Sequence, residues 1–393
     1  MFKVYVFLLS VGLHPFVELN PIPEALASSK TMFYYKMNVT PPKNYDEWSR
    51  TNFVNQNFKK GEREMNIGYF GGSITEGYGA SEDEFTYRAL VTKHFDGGHC
   101  EINAGVGGTG SDLGAFRLQN DLLCKKPDFV FVEFAVNDSD KPSDIILWSM
   151  EGIVQQLLSY NSNIKIVFIY TLCERFLQQY INGEIPNVIA QHHMVAKYYN
   201  IPEINVGYEL YKHLQESRKK LSDFLIDECH PNDCGYAHYA ETIIRKLPEI
   251  QFDIAVKKPM NDKSFCNAKI VEPRTYAADG WNLSNETLYQ RTPSYIYSNT
   301  VGSELVFEFT GSCVGLYLAI EKDSGNVAYS IDHGGQKEYQ VWDEFAKIFN
   351  RANYVLLDSE LEFGKHTLRV IVSQNKAEES EGYCIKIGGF LVC

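Results

Sequence analysis

The chain has 393 residues, of which 44% are hydrophobic and 22% are charged, so it carries enough apolar material for a folded core and is long enough for two domains. Its formal net charge of -13 argues against nucleic acid or an anionic membrane as the main partner. These values fit a globular protein that acts on a neutral or weakly charged substrate. The sequence leaves the oligomeric state open.

Residues 1–37 form an N-terminal segment in which one lysine is followed by an apolar run of signal-peptide length. A possible cleavage site, Ala25-Leu-Ala27, is separated from that run by His14, Pro15 and Glu18, which is an unusual distance. The alternative is a strand packed on the folded body. We therefore expect a cytoplasmic protein, with export through a signal peptide as the alternative.

The nine cysteines are scattered and include no CxxC pair, so a zinc ribbon has little support. Several lie in apolar runs, where a reduced cysteine behaves as a small hydrophobic residue. Cys229 and Cys234 flank a loop and could pair, but two free thiols are the simpler interpretation. The pattern favours a reducing compartment.

Strand-like and helix-like runs alternate through residues 38–250, the predicted first domain. The predicted elements are strands at 66–70, 101–103, 128–136, 164–170 and 204–206 and helices at 85–95, 112–123, 145–160, 187–199, 208–220 and 235–247. This alternation predicts an α/β fold with a parallel sheet covered by helices on both faces. In such a sheet the functional site lies at the carboxyl ends of the strands.

Residues 251–265 carry proline and polar residues without a clear period and are predicted to be a linker. The remaining residues, 266–393, contain short alternating runs separated by glycine, aspartate, asparagine and lysine. The runs are at 303–309, 313–320, 328–332, 354–358, 366–373 and 383–392. The pattern predicts an antiparallel β-sandwich of jelly-roll type.

Ser73 follows the first predicted strand directly after Gly71 and Gly72. A serine on a tight strand-to-helix turn has its hydroxyl lifted off the sheet edge, and its N–H points where an anion would bind. This is how a nucleophilic serine is presented. Taken alone the motif is weak, because Gly-Gly-Ser turns are common connections.

Three further blocks follow the serine turn and strengthen this interpretation. In chain order the four blocks are Gly71-Gly-Ser-Ile-Thr75, Asn103-Ala-Gly-Val-Gly-Gly108, Ala135-Val-Asn-Asp138 and Asp227-Glu-Cys-His-Pro231. Each block alone is more often a plain turn. Their joint occurrence at the carboxyl ends of strands in one sheet is much less easily explained by chance.

Together the blocks supply every group that ester hydrolysis by a serine needs. Ser73 is the candidate nucleophile, His230 the base, and Asp227, three residues earlier, can reach the far ring nitrogen. The Ser73 N–H, the Gly108 N–H and the Asn137 side-chain amide are the three candidate oxyanion donors.

These blocks resemble those of the SGNH (GDSL-type) hydrolases over roughly residues 66–247. The resemblance implies a flavodoxin-like three-layer α/β/α fold and the same residue roles, with no metal or cofactor. In one departure, Gly72 replaces the aspartate of the usual Gly-Asp-Ser, which removes a supporting carboxylate but keeps the serine. This Gly-Gly-Ser-Ile-Thr variant followed by a β-sandwich resembles bacterial carbohydrate acetylesterases, which implies a carbohydrate-binding-like second domain.

The resemblance therefore implies a serine esterase that removes acetyl groups from an acetylated oligo- or polysaccharide through an acyl-enzyme. Two alternatives stay open. A lipid-directed esterase or thioesterase on the same fold would need an apolar acyl channel or amphipathic lid, for which no helix is available. The second alternative is a catalytically inactive carbohydrate-binding protein. The complete set of catalytic and oxyanion residues argues against it; the five are Ser73, Gly108, Asn137, Asp227 and His230.

Four other residues receive predictions. His192 and His193 are expected on a helix surface, and Cys229 is expected to pack in its loop because no separate base serves it. Trp342 lies between acidic residues and is a candidate sugar-binding residue that reaches over the Ser73 cleft. Core packing is an equally good interpretation of Trp342.

Overall fold

The computed structural model describes residues 64–95, 99–273, 278–289 and 292–393. The chain divides into two compact units, Met1–Ser264 and Phe265–Cys393, and the division lies near the end of the predicted linker. The predicted N-terminal segment, residues 1–37, is outside the described residues. Within the described ranges, no helix combines the length and hydropathy that are needed to cross a bilayer.

The first unit is an alternating α/β domain, as the sequence predicts. Its strands are β1 Asn66–Gly71, β2 Cys100–Gly105, β3 Phe129–Glu133, β4 Lys165–Ile169 and β5 Glu203–Ile204. Its helices are α1 Ser73–Glu76, α2 Tyr87–His94, α3 Ser111–Asp121, α4 Ser143–Tyr160, α5 Glu174–Ile181, α6 Asn187–Tyr199, α7 Val206–Glu216 and α8 Asp233–Lys246. Helices α1 and α5 were not among the elements that the sequence pattern predicted.

The five strands form a sheet in the order β2-β1-β3-β4-β5, and every pair in it is parallel. This is the flavodoxin-like order, in which the chain leaves β1 to one side and later returns to its other side. β3 is buried along its whole length, which is typical of an inner strand with both faces covered. Ligands bind such sheets at the carboxyl ends of β1 and β3, where the winding direction changes.

The second unit is built from antiparallel strands. They are β6 Lys269–Val271, β7 Asn282–Ser284, β8 Tyr295–Ser298, β9 Glu304–Gly311, β10 Val314–Ile320, β11 Asn326–Ile331, β12 Lys337–Gln340, β13 Arg351–Asp358, β14 Gly364–Val372 and β15 Ile385–Val392. One sheet has the order β13-β10-β15-β8-β7 with β6 on β15, and the other has the order β12-β11-β14-β9. The antiparallel second domain predicted from the alternating runs is therefore confirmed, while β6, β7, β8 and β12 were not predicted individually.

The two sheets of this unit face each other across an apolar core. Exposed and buried residues alternate strictly along β9, and the rings of Phe307 in β9 and Phe390 in β15 stack with centroids 3.9 Å apart. Trp281 and Trp342 both belong to this core, and Trp342 is only 5% exposed. This burial favours core packing, the alternative given for Trp342 above, and Trp342 is not part of the site proposed below.

Candidate active site

Ser73 is the first residue of α1 and stands directly beyond the carboxyl end of β1. The turn is tight because glycine precedes the serine. A Cβ added at Gly71 would lie 2.2 Å from Oγ1 of Thr75 and 2.4 Å from the carbonyl oxygen of Glu133. Only glycine fits this position, and the serine is consequently held close to the sheet edge.

The serine, histidine and aspartate predicted from the sequence come together in one hydrogen-bonded row. Ser73 Oγ lies 2.8 Å from His230 Nε2, and His230 Nδ1 lies 2.8 Å from Asp227 Oδ2. The second oxygen of Asp227 accepts the backbone N–H groups of Cys229 and His230, each at 2.9 Å. The loop therefore fixes the carboxylate, and the carboxylate fixes the ring.

The charge state of Asp227 determines which nitrogen of His230 carries the proton. Burial raises the pKa of Asp227, but hydrogen bonds from the His230 ring and from the N–H groups of Cys229 and His230 outweigh it and lower the pKa to about 2. An ionised carboxylate only accepts hydrogen bonds, so Nδ1 must be the donor. Nε2 then keeps its lone pair for the hydroxyl hydrogen of Ser73, as a general base requires.

The glycine loop after β2 lies beside the serine. Gly107 donates its N–H to Glu76 Oε2 at 2.8 Å, and a Cβ added at Gly107 would stand 3.7 Å from the Cβ of Ser73. Gly108 has φ of +71°, a left-handed conformation that favours glycine, although a side chain there would meet nothing within 4 Å. The left-handed backbone at residue 108 therefore favours glycine there.

Asn137 approaches the serine turn from β3. Its side-chain amide lies against Gly72, so that a Cβ added at Gly72 would stand 2.0 Å from Asn137 Oδ1. Asn137, the glycine loop and Ser73 consequently lie around the switch point of the sheet, where ligands bind in this fold.

A buried carboxylate, Glu133, lies beneath the turn. Its two oxygens accept hydrogen bonds from the hydroxyls of Thr75 at 2.9 Å and Thr171 at 3.1 Å. Burial raises the pKa of Glu133 to about 7, although these hydroxyls and the N–H of Gly72 act to lower it. Glu133 thus joins the ends of β3 and β4 to the turn that carries the serine, a role that the sequence analysis missed.

Arg117 braces the ends of β1 and β2 from helix α3. Its guanidinium donates to the carbonyl oxygens of Gly71 and Ala104, each at 2.8 Å, and lies 4.5 Å from the ring centroid of Phe70. The two carbonyls belong to the strand ends that lead into the serine turn and the glycine loop. The signal available in the sequence was an arginine within a predicted amphipathic helix. The spacing of residues along the chain does not reveal which groups accept its hydrogen bonds.

The prediction for His192 and His193 was wrong, because both are buried in α6, at 1% and 5% exposure. His192 Nε2 lies 3.0 Å from Asp138 Oδ2, and the other oxygen of Asp138 accepts the N–H of Ser111 at 2.9 Å. His193 pairs with Glu203. Carboxylates from neighbouring loops and strands satisfy both rings, so polar residues are accommodated inside the domain.

Cys229 lies beside the histidine but is poorly suited to reaction or to metal binding. Its Sγ is 3.6 Å from His230 Nδ1, and burial raises the pKa of the thiol far above neutrality. Asp227, Cys229 and His230 are close enough together to surround an ion. The carboxylate and Nδ1 already bond to each other, however, and a protonated thiol is a weak ligand. All nine cysteines, including Cys234, are free thiols.

This fold and this row of side chains are those that a carboxylic ester hydrolase with a serine nucleophile uses. Residues 69–238 match the family described as the GDSL-like lipase/acylhydrolase family. The resemblance found in the four sequence blocks is therefore confirmed for this stretch of the first unit, which is similar to the GDSL-like family.

Two solved structures of a two-domain esterase active on acetylated mannans share the fold. One superimposes with a TM-score of 0.72 and covers 85% of this chain and 92% of its own. The other, co-crystallised with mannopentaose, gives 0.70 and covers 84% and 90%. Both are 19% identical to this chain, which establishes a shared fold.

The N-terminal part resembles a different group. Residues 3–58 match glycosyl hydrolases family 39. Two curated relatives are named beta-xylosidase, one from Caldicellulosiruptor saccharolyticus, 60% identical over 45 residues, and one from Geobacillus stearothermophilus, 51% identical over 41 residues. These matches span 11% and 10% of this chain and only 9% and 8% of the relatives. Residues 3–58 lie outside the described residues.

Proposed function

We propose that this protein hydrolyses O-acetyl esters on a carbohydrate, with Ser73 as nucleophile, His230 as base and Asp227 as the group that orients the base. The single observation that carries the proposal is the row Ser73 Oγ–His230 Nε2–Asp227, with both links at 2.8 Å. The same row serves ester hydrolysis in unrelated folds because its geometry, not its chain order, performs the chemistry.

In the first half of the proposed reaction, Ser73 Oγ attacks the acetyl carbonyl carbon while Nε2 of His230 takes the hydroxyl proton. The carbonyl π electrons move to the oxygen, which becomes an anion held by the N–H groups of Ser73 and Gly108 and by the amide of Asn137. The tetrahedral intermediate then expels the sugar oxygen, which takes the proton from His230. The products are a free sugar hydroxyl and acetyl-Ser73.

In the second half a water molecule replaces the sugar. His230 takes a proton from the water as it attacks the acetyl-serine carbonyl, and the same donors stabilise the second oxyanion. Collapse breaks the serine ester, returns the proton to Ser73 Oγ and releases acetate. Asp227, ionised at neutral pH, stabilises the imidazolium that forms in each half. Acid quenching during turnover, followed by peptide mass spectrometry, should find acetyl on the peptide that contains Ser73.

Three considerations support an acetylated carbohydrate as the substrate. The solved structures that share the two-domain fold belong to an esterase active on acetylated mannans. Two curated relatives that match short stretches of the chain are beta-xylosidases, which makes xylan fragments the second polymer to examine. The negative net charge suits a neutral ligand better than a fatty-acid anion or a phospholipid headgroup.

The deciding experiment compares acyl chain lengths and then sugars. Nitrophenyl acetate should be hydrolysed with a much higher kcat/KM than nitrophenyl octanoate. Acetylated mannan, xylan and pectin oligosaccharides are then incubated with the protein in turn. Mass spectrometry of each mixture should show the loss of acetyl groups. A preference for octanoate would favour the lipid-directed esterase, and no turnover of any ester would favour an inactive carbohydrate-binding protein.

The cytoplasmic location remains a proposal, with export as its alternative. Fractionation of the host cell, with an antibody against the second unit, would distinguish the two locations.

Activity should also be unaffected by EDTA, because the proposed steps use only side chains and backbone amides.

A further inference from the structure

An exposed tyrosine stands next to the proposed catalytic histidine. Tyr78 is 47% exposed, and its ring centroid lies 4.6 Å from that of His230, with the ring planes at 63°. His230 itself is only 2% exposed. The two rings therefore meet in an edge-to-face arrangement, while about half of the Tyr78 surface remains accessible to a ligand.

The backbone of Tyr78 is fixed although the side chain is exposed. Its N–H donates to the Ser73 carbonyl at 3.0 Å, and its own carbonyl accepts the hydroxyl of Tyr236 at 2.9 Å. Gly77 before it has φ of +109°, which reverses the chain at the end of α1. The ring is therefore carried by a backbone tied directly to the serine turn.

A second exposed apolar residue adjoins this turn. Ile226 is 44% exposed, and its N–H donates to the carbonyl oxygen of His230 at 2.9 Å. A Cβ added at Gly79 would stand 3.1 Å from Cδ1 of Ile226 and 2.4 Å from the carbonyl oxygen of Pro231. Ile226 thus lies against Gly79, the residue after Tyr78, beside the proposed triad. We call Tyr78 and Ile226 the Tyr78–Ile226 patch.

We propose that the Tyr78–Ile226 patch binds the apolar face of the sugar ring whose acetyl group is presented to Ser73. This inference rests on the proposed function and adds the residues that recognise the carbohydrate. An acetyl group offers little surface for binding, so discrimination must come from contacts with the ring. A tyrosine supplies a flat apolar face and a hydroxyl, with few rotatable bonds to immobilise.

The charges around the patch favour a neutral occupant. The chain that follows Tyr78 is acidic, with Glu82, Asp83 and Glu84 within six positions of it, although Arg88 pairs with Asp83 at 2.6 Å. Glu76 precedes it and accepts the Gly107 N–H. An anionic lipid headgroup or a fatty-acid carboxylate would be repelled here, whereas the hydroxyl groups of a sugar can hydrogen-bond to carboxylates.

The test compares Tyr78→Ala and Tyr78→Phe with wild type on an acetylated oligosaccharide, on nitrophenyl acetate and on nitrophenyl octanoate. Loss of one ring contact should lower the ratio of kcat/KM for the oligosaccharide to kcat/KM for nitrophenyl acetate roughly five- to tenfold, mainly through KM. Tyr78→Phe keeps the ring face and should restore most of that ratio. Tyr160→Ala is the matched control, because Tyr160 is 40% exposed but ends α4 at the opposite edge of the sheet.

Three results would overturn the inference. Equal loss of kcat on both substrates would make Tyr78 a positioning residue for His230. An effect confined to nitrophenyl octanoate would assign the patch to an acyl chain, and an unchanged ratio would remove the patch from recognition altogether. Failure of the proposed function is separate, since it would appear as full activity in Ser73→Ala whatever the Tyr78 variants do.

Discussion

The amide of Asn137 packs directly on the Cα of Gly72, and a Cβ at residue 72 would stand 2.0 Å from Asn137 Oδ1. Gly72 occupies the place where the related family usually carries aspartate. In this protein the room that glycine leaves is filled by the asparagine proposed to hold the oxyanion. The two residues therefore form one unit, and a change in either should alter the same step.

Gly72→Ala should accordingly displace the Asn137 amide and lower kcat more than it changes KM. Asn137→Ala should lower kcat roughly a hundred- to a thousandfold, the usual cost of one oxyanion donor. Since the first change acts through the second residue, the double variant should be hardly worse than Asn137→Ala alone.

Gly335→Ala is the matched control, because a Cβ at Gly335 meets nothing within 4 Å. Steady-state kinetics on nitrophenyl acetate for these variants provides the measurement. Fully additive losses in the double variant would show that Gly72 acts independently of Asn137.

Glu133 should make stability depend on pH in a recognisable direction. Its pKa of about 7 in the folded chain exceeds the ordinary value of 4.5. Between pH 4.5 and pH 7 the folded chain therefore binds more protons at this residue than the unfolded chain does. The stabilising contribution of this group is fully present below about pH 4.5 and is lost as the pH rises through about 7. Burial raises the pKa of the neighbouring Tyr87, Tyr236 and Tyr239, which therefore stay neutral over this range.

Glu133→Gln carries no titrating proton and should escape this loss. Urea unfolding of wild type and Glu133→Gln at pH 5 and pH 8 measures the effect. Wild type should lose more unfolding free energy than Glu133→Gln between pH 5 and pH 8. A difference that stays constant between the two pH values would mean that Glu133 titrates alike in the folded and unfolded chain.

His192 should be important for stability. Removing it by His192→Ala leaves the buried Asp138 side chain without its ring partner, and a lost hydrogen bond to a buried polar group costs roughly 1–3 kcal/mol. Because Asp138 follows Asn137 directly, kcat should fall as well. His238→Ala is the control, since Nε2 of His238 has no partner among the described residues. Equal urea midpoints for both variants would contradict this role of His192.

The parallel sheet and the four blocks could be predicted because the signals for both lie within short stretches of sequence. Apolar runs alternate with helical periods, and each block lies immediately after a strand or in a short loop. The order of the sheet then brings Ser73 and Asn137 to one edge without further information. Ser73 and His230 are 157 positions apart in the chain. Their contact could still be predicted, because both were expected at the carboxyl ends of strands in the same sheet.

The supporting groups could not be predicted, because their roles depend on partners distant in the chain. Glu133 stands in the apolar run Phe129–Glu133 and gave one signal, an acidic residue in a buried strand. Its partners, Thr75 and Thr171, come from other loops. His192 looked like a surface residue because histidine is common there, and only the approach of Asp138 makes its burial tolerable.

The most direct test of the account is acetate release from an acetylated oligosaccharide by Ser73→Ala. The hydroxyl of Ser73 is the proposed nucleophile, so its removal should lower turnover by several orders of magnitude while the melting temperature stays that of wild type. A Ser73→Ala protein that folds normally and still releases acetate at most of the wild-type rate would contradict the proposed mechanism.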